Sequence, residues 1–195
     1  MMKVGILSDS HGSLKWFKKA YSVVKECDLI IHAGDILYHG PRNSLPEDYN
    51  PAELASFING IEEEKIIFVR GNCDADVDQT VIAHDISLRF KNFKFGKLKL
   101  GLLHGDQFSG INEAIKFAEK FGLNILIFGH THRKFLQLEK GHLLINPGSI
   151  SLPKDNTKSL ALLSLDDYNA NIRFVDLENE TTIEEKKYSL MEYIF

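Results

Sequence analysis

Two imidazoles one residue apart, in Gly129-His130-Thr131-His132, directly follow the apolar run Ile125-Leu126-Ile127-Phe128. Residues i and i+2 of an extended chain point to the same face, so such an edge can deliver both rings into one cleft. Four more apolar runs end in the same way. Val4-Gly5-Ile6-Leu7-Ser8 is followed by Asp9-Ser10-His11, and Leu29-Ile30-Ile31 leads through His32-Ala33 to Gly34-Asp35. Ile66-Ile67-Phe68-Val69-Arg70 leads to Gly71-Asn72-Cys73-Asp74, and Leu100-Gly101-Leu102-Leu103 stops at His104-Gly105-Asp106. The inventory is carboxylate, imidazole and one amide, with no thiolate cluster. That mixture suits Mn, Fe, Co or Zn. Calcium wants nearly all oxygen, and structural zinc usually recruits cysteine. Seven ligand residues exceed one ordinary site and suit two ions sharing a carboxylate and a solvent species.

Short apolar runs bounded by glycine read as strands buried on both faces. Where such strands are parallel, ligands bind beyond their carboxyl ends, and all five polar clusters sit at that kind of end. Helical stripes lie between the runs. Leu14, Phe17, Ala20, Tyr21 and Val24 form the first. Asn50 as N-cap, Pro51 and Glu53 open the second, with Ala52, Ala55, Ile58 and Ile61 expected inward. Ile111, Ala114, Ile115 and Ala118 form a third, closed by Gly122. This β-α-β alternation predicts an α/β domain. After His132 come short runs, Phe135–Leu138, His142–Ile145 and Leu160–Leu163, whose close spacing favours antiparallel pairing. The expectation is two sheets, one mixed and one more antiparallel, with helices outside. The charged tail from Glu178 has no clear period. A single domain over residues 1–195 is expected.

The 195 residues carry 44% hydrophobic and 26% charged side chains and a net charge of −4, which is ordinary for a soluble globular protein. No basic footprint for long nucleic acid is present. The densest basic stretch, Arg89 to Lys99, reads as the solvated face of a strand. Cys27 and Cys73 lie in no C-x-x-C spacing, which suits a reducing compartment. Met1-Met2-Lys3 runs straight into the first strand, and no apolar run approaches the ~20 residues of a membrane span. A cytoplasmic location is expected.

Asp9-Ser10-His11, Gly34-Asp35, Gly71-Asn72, His104-Gly105 and Gly129-His130-Thr131-His132, five blocks in order, resemble the calcineurin-like metallophosphoesterase superfamily. The stretches Gly34 to Asn43, Gly71 to Asp74 and Asn146-Pro147-Gly148-Ser149 are further similar to the small bacterial YfcE-type phosphodiesterases. The resemblance implies a four-layer α/β/β/α sandwich. It implies that Asp9, His11 and His132 bind one ion, Asp35 bridges, and Asn72, His104 and His130 hold the second. Mn is the implied ion, with Ni, Co, Fe or Zn as alternatives. The implied enzyme is a phosphodiesterase in which a hydroxide shared by the ions attacks phosphorus in line, with activated monoesters as further substrates. Two divalent ions less two aspartates and a hydroxide leave residual positive charge, which favours a phosphate anion. Activity should fall as acid protonates imidazoles of free pKa ~6.5.

Cys73 stands where the wider superfamily often places a histidine. A thiol there is a weaker general acid, which tilts the reading toward diesters or activated esters. Asp74 is a candidate to orient a ligand. The long Leu37 to Asn50 loop offers Arg42, whose planar fork suits phosphate oxygens. His32, His84 and His142 read as ordinary core or surface histidines, and His39 belongs to the loop. Cys27, Trp16 and Phe17 read as packing. Two other readings stand beside the enzyme. One is a catalytically idle protein-binding scaffold, as in the retromer subunit of this fold, and the other a nuclease. The complete ligand set argues against the first and the missing basic surface against the second. A homo-oligomer acting on a small phosphodiester is expected.

Overall fold

Each apolar run that ends in a polar cluster is a strand in the computed structural model, which describes residues 1–193. In chain order the elements are β1 (Met2–Leu7), α1 (Leu14–Val24), β2 (Leu29–His32), α2 (Pro51–Asn59), β3 (Ile66–Phe68), β4 (Phe90–Phe95) and β5 (Leu98–Leu103). Then follow α3 (Ile111–Phe121), β6 (Ile125–Ile127), β7 (Lys134–Glu139), β8 (His142–Pro147), β9 (Ser159–Leu165), β10 (Asn169–Asp176) and β11 (Thr181–Ser189).

Two mixed sheets result, in the orders β11-β10-β9-β1-β2-β3 and β4-β5-β6-β8-β7. Strands β1, β2 and β3 are parallel, as are β5, β6 and β8. Strands β9 to β11 add antiparallel beyond β1, and β4 and β7 are antiparallel edges of the other sheet. The late strands therefore do not form a sheet of their own. β7 and β8 complete one sheet, β9 to β11 the other, and both sheets are mixed.

Strand alternation sorts the core into layers. In β2, Leu29 and Ile31 pack with residues of the opposite sheet, whereas Ile30 packs with α1 and α2. In β6, Ile125 and Ile127 join that central layer, whereas Leu126 packs with α3. Both faces of each sheet are covered, which is why the runs are continuously apolar. The order is α/β/β/α, as the resemblance implied.

The stripe of α1 buries Trp16, Phe17, Ala20 and Val24. Helix α2 starts at Asn50, whose side chain accepts from the Glu53 N–H at 3.3 Å. Its inward face differs from the expectation: Leu54, Ala55 and Ile58 are buried, and Ala52 is exposed. Ala52 lies roughly 160° round the helix from Leu54 at 3.6 residues per turn, so burying the larger side chains turns it out. Helix α3 buries Ala114, Ile115 and Ala118 and ends at Gly122 with φ of 60°. Lys97 sits in the β4–β5 turn, while Lys99 lies on the solvated side of β5. The tail is an exposed edge strand, β11, and an edge with water on most sides needs no apolar alternation. No described helix is long and apolar enough to cross a membrane.

Candidate metal centre

The loops that leave β1, β2 and β6 converge. Asp9, His11, Asp35 and His132 are buried, and one donor atom of each lies within 4.8 Å of the others. His11 Nε2 and His132 Nε2 are 3.1 Å apart. Asp9 Oδ1 lies 3.3 Å from His132 Nε2, and Asp35 Oδ2 lies 3.7 Å from His11 Nε2 and 3.3 Å from His104 Nε2. Asp35 thus stands between His11 and His104. The His130 ring lies beside that of His104, with centroids 5.2 Å apart. Asn72 and His130 line a cavity of about 780 Å³ together with Asp35 and His132. The fold gathers all seven residues, four of them tightly. Asn72 is the loosest: its amide nitrogen donates to Cys73 Sγ at 3.3 Å.

Three of the rings are tied at the other nitrogen. His11 Nδ1 donates to Tyr38 O at 2.8 Å, His104 Nδ1 to Ala33 O at 2.7 Å and His132 Nδ1 to Leu152 O at 2.6 Å. A carbonyl only accepts, so Nδ1 carries the hydrogen, and in the neutral ring Nε2 is a lone pair aimed at the cluster. Lone pairs 3.1 Å apart, facing two carboxylates, repel unless something positive lies among them. Asp9 Oδ1 and His104 Nε2 are buried without a hydrogen-bond partner. This inward set of acceptors fits a divalent transition ion.

The titration of the groups tells the same story. Burial pushes His104 down, but Asp35 in contact and the charge of Asp9 lift it to about 9. His132 is likewise raised against its burial by Asp9. Burial favours the protonated carboxyls of Asp9 and Asp35, yet the imidazoles hold both below the usual carboxylate range. The metal-free centre therefore draws in a positive charge.

The backbone beneath is strained. Five of the seven residues have positive φ: Asp9 55°, His11 46°, Asp35 59°, His130 65° and His132 54°. Each costs a non-glycine residue roughly 1–2 kcal/mol and persists because its surroundings fix it. Ser149 Oγ and Ser151 Oγ both donate to Asp9 O, at 2.8 and 2.9 Å. Asp9 Oδ2 accepts from Ser8 Oγ at 2.5 Å and His130 N at 3.2 Å. The buried Asp74 carboxylate accepts from Asp35 N, Ile36 N and Gly71 N, joining the loops after β2 and β3. Asn146 Nδ2 holds Gly129 O at 2.6 Å. Sequence reasoning missed Ser8, Ser151 and Lys154, and gave Asn146 and Ser149 no role. A serine beside Asp9 was the one available signal.

Cys73 is half-buried in the cavity wall. Burial, then the charge of Asp35, pushes its thiol up to about 12, a weaker acid than expected. Arg42 is exposed in the same wall with Tyr38, Gly40 and Asn43 of the long loop. His32 is structural: Gly34 N donates to its Nδ1, and its Nε2 lies 3.0 Å from Ser10 Oγ. His84 and His142 bond the carbonyls of Ile58 and Leu123. His39 packs its ring on Tyr38 and Tyr49.

Two outcomes are expected. A Cβ on Gly129 would overlap Ser8 Oγ and come within 2.9 Å of Asp9 Oδ2. Gly129→Ala should therefore lower the metal bound per chain, measured by elemental analysis, while circular dichroism still reports a folded protein. The second concerns pH. His104 has a folded value of about 9 against an ordinary 6.5, so its stabilisation is complete below pH 6.5 and is lost as pH rises through about 9. Chelator-treated protein should melt at progressively lower temperature across pH 6.5 to 9, and metal-loaded protein should not, because a ligating imidazole is neutral. A flat metal-free profile would contradict the His104–Asp35 contact.

The chain is similar to known proteins over most of its length. Residues 2–168 match the calcineurin-like phosphoesterase superfamily domain. The phosphodiesterase YfcE of Escherichia coli K12 is 36% identical over 170 residues, 85% of this chain and 89% of that protein. A probable metallophosphoesterase of Bacillus subtilis, YsnB, is 34% identical over 179 residues, 90% of this chain and 91% of that protein. The solved structure of Escherichia coli YfcE, described as a phosphoesterase, superposes with a TM-score of 0.80 at 31% identity, covering 95% of this chain and 98% of its own. Vacuolar protein sorting 29 of Cryptosporidium parvum shares the fold alone, with a TM-score of 0.72 at 18% identity over 96% of this chain and 98% of that one. With fold, ligand order and sequence in accord, the chain belongs to the calcineurin-like phosphoesterase superfamily.

Proposed function

We propose that this chain is a metal-dependent hydrolase of a small phosphodiester, with two divalent ions at its centre. The observation that carries the reading is the ring of inward acceptor atoms around Asp35 at one side of an open cavity. Asp9, His11 and His132 would hold one ion, and Asn72, His104 and His130 the other, with Asp35 shared. The donor set suits Mn, our preferred ion, as well as Ni, Co, Fe or Zn. When bound, such a pair supplies Lewis acidity and a water acidic enough to attack phosphorus in line at neutral pH.

The chain's own residues do the rest. Three imidazoles locked by backbone carbonyls keep their Nε2 atoms inward without reorganisation. Asp9 and Asp35 offset only two of the four positive charges such a pair brings, so the centre attracts an anion. The cavity leaves room for both arms of a diester. Arg42 offers its planar fork to an anionic group of the substrate. Cys73, protonated at neutral pH, is a weak donor to a leaving group, which favours esters whose leaving group departs unprotonated. Similarity to the Escherichia coli phosphodiesterase supports the diester reading. The idle-scaffold reading is disfavoured by the intact set of seven donors.

Pure protein stripped with chelator and reloaded should hydrolyse bis-para-nitrophenyl phosphate faster than para-nitrophenyl phosphate. Mn should restore the rate and about two ions should bind per chain. Asp35→Asn should lower kcat by about a hundredfold or more. A protein that binds no transition metal, or hydrolyses neither ester when loaded, would end the assignment. Placing a better acid in the wall, Cys73→His, should raise the rate on an alkyl diester relative to an aryl diester by about tenfold or more. Equal effects on both would remove Cys73 from the leaving-group side.

A further inference from the structure

We propose that Arg42 and Lys154 form a second anion subsite in the cavity wall, which selects phosphodiesters bearing an additional phosphate on one arm. This rests on the phosphoesterase reading and adds a substrate class to it. Both side chains line the cavity, and both are exposed. Its volume of about 780 Å³ suits a molecule of drug size, far more than one phosphate group.

The wall carries two cations, and the two carboxylates that line the same cavity bond elsewhere. Among the described residues neither Arg42 nor Lys154 joins an ion pair, whereas Asp155, next to Lys154, is committed to Lys134 at 2.7 Å. Two carboxylates line the cavity, and both are occupied. Asp35 accepts from Cys73 N and faces the imidazoles. Asp74 spends both oxygens on backbone N–H groups. A singly charged diester is matched by the centre itself, which leaves the Arg42 and Lys154 charges for another group. A phosphomonoester carries about −1.5 to −2 at neutral pH, which equals what the pair offers. A forked guanidinium and a point-charge ammonium together suit such a group.

The backbone that carries the two cations is held in place. Lys154 N donates to His132 O at 2.8 Å, which ties its backbone to a residue of the centre. Arg42 sits in a turn braced by Asn43 Nδ2 on His39 O at 2.8 Å. That turn packs against Cys73, since a Cβ on Gly40 would lie 3.0 Å from its sulfur. The loops that carry both side chains are thereby tied to segments that carry proposed ligands.

The test uses a matched pair: the para-nitrophenyl ester of thymidylate, with and without a second phosphate on its free sugar hydroxyl. On Mn-loaded protein the extra phosphate should lower KM by about tenfold or more, and Arg42→Ala and Lys154→Ala should each bring the KM ratio toward one. Equal KM values in the wild type would overturn the subsite. So would a ratio preserved in both variants, which would put Arg42 on the scissile phosphate. Hydrolysis of neither ester would overturn the phosphoesterase reading instead. Calorimetry then decides the subsite separately, because thymidine bisphosphate should bind the loaded protein about tenfold more tightly than thymidylate. Equal affinities would overturn it.

Discussion

Buried imidazole and carboxylate atoms held face to face are the constraint around which this molecule is arranged. His11 Nε2, His132 Nε2, Asp9 Oδ1 and Asp35 Oδ2 would fly apart in a pliable site. They stay because each ring is locked from behind by a carbonyl, and each aspartate by serine, imidazole or backbone donors. The arrangement favours a positive charge at its centre, whether a proton or a metal ion, and that suits it to bind a metal.

Holding such a cluster requires stiffness on several sides at once. The strands that end at the centre belong to two sheets, and their shared apolar layer fixes one sheet against the other. The loops that leave β1, β2 and β6 turn through left-handed backbone at Asp9, His11, Asp35, His130 and His132, whose side chains gather at the centre. Asp74 and the pair Ser149 and Ser151 then bind one loop to the next. Strain at the site is thus offset by hydrogen bonds around it and by burial beneath it.

The cavity is mixed in chemistry: Asp35, Asn72, His130 and His132 contribute ligand-type groups to its wall, and Arg42 and Lys154 contribute cations. The net charge of −4 does not favour long polyanions. Under the proposed reading, selectivity for a small anion would reside in the wall and reactivity in the centre.

Much of this was legible in the linear chain. Continuous apolar runs ending in Asp, His and Asn could be read as buried strands with ligands at their carboxyl ends, because burial on two faces leaves a pattern that neighbours alone impose. The Asn50 cap and the Gly122 stop were legible for the same local reason. The Ala52 face, the sheet that each late strand joins, and β11 were not. Helix rotation and strand partnership depend on what the element packs against, and an edge strand leaves no apolar imprint. Which imidazole nitrogen faces the centre, the serines that grip Asp9, and the placing of Arg42 and Lys154 on one cavity across more than a hundred residues of sequence were settled only by folding. Residue types fix what chemistry is available. Distances of a few ångströms between remote segments come from the packing of whole sheets, and no local pattern encodes them.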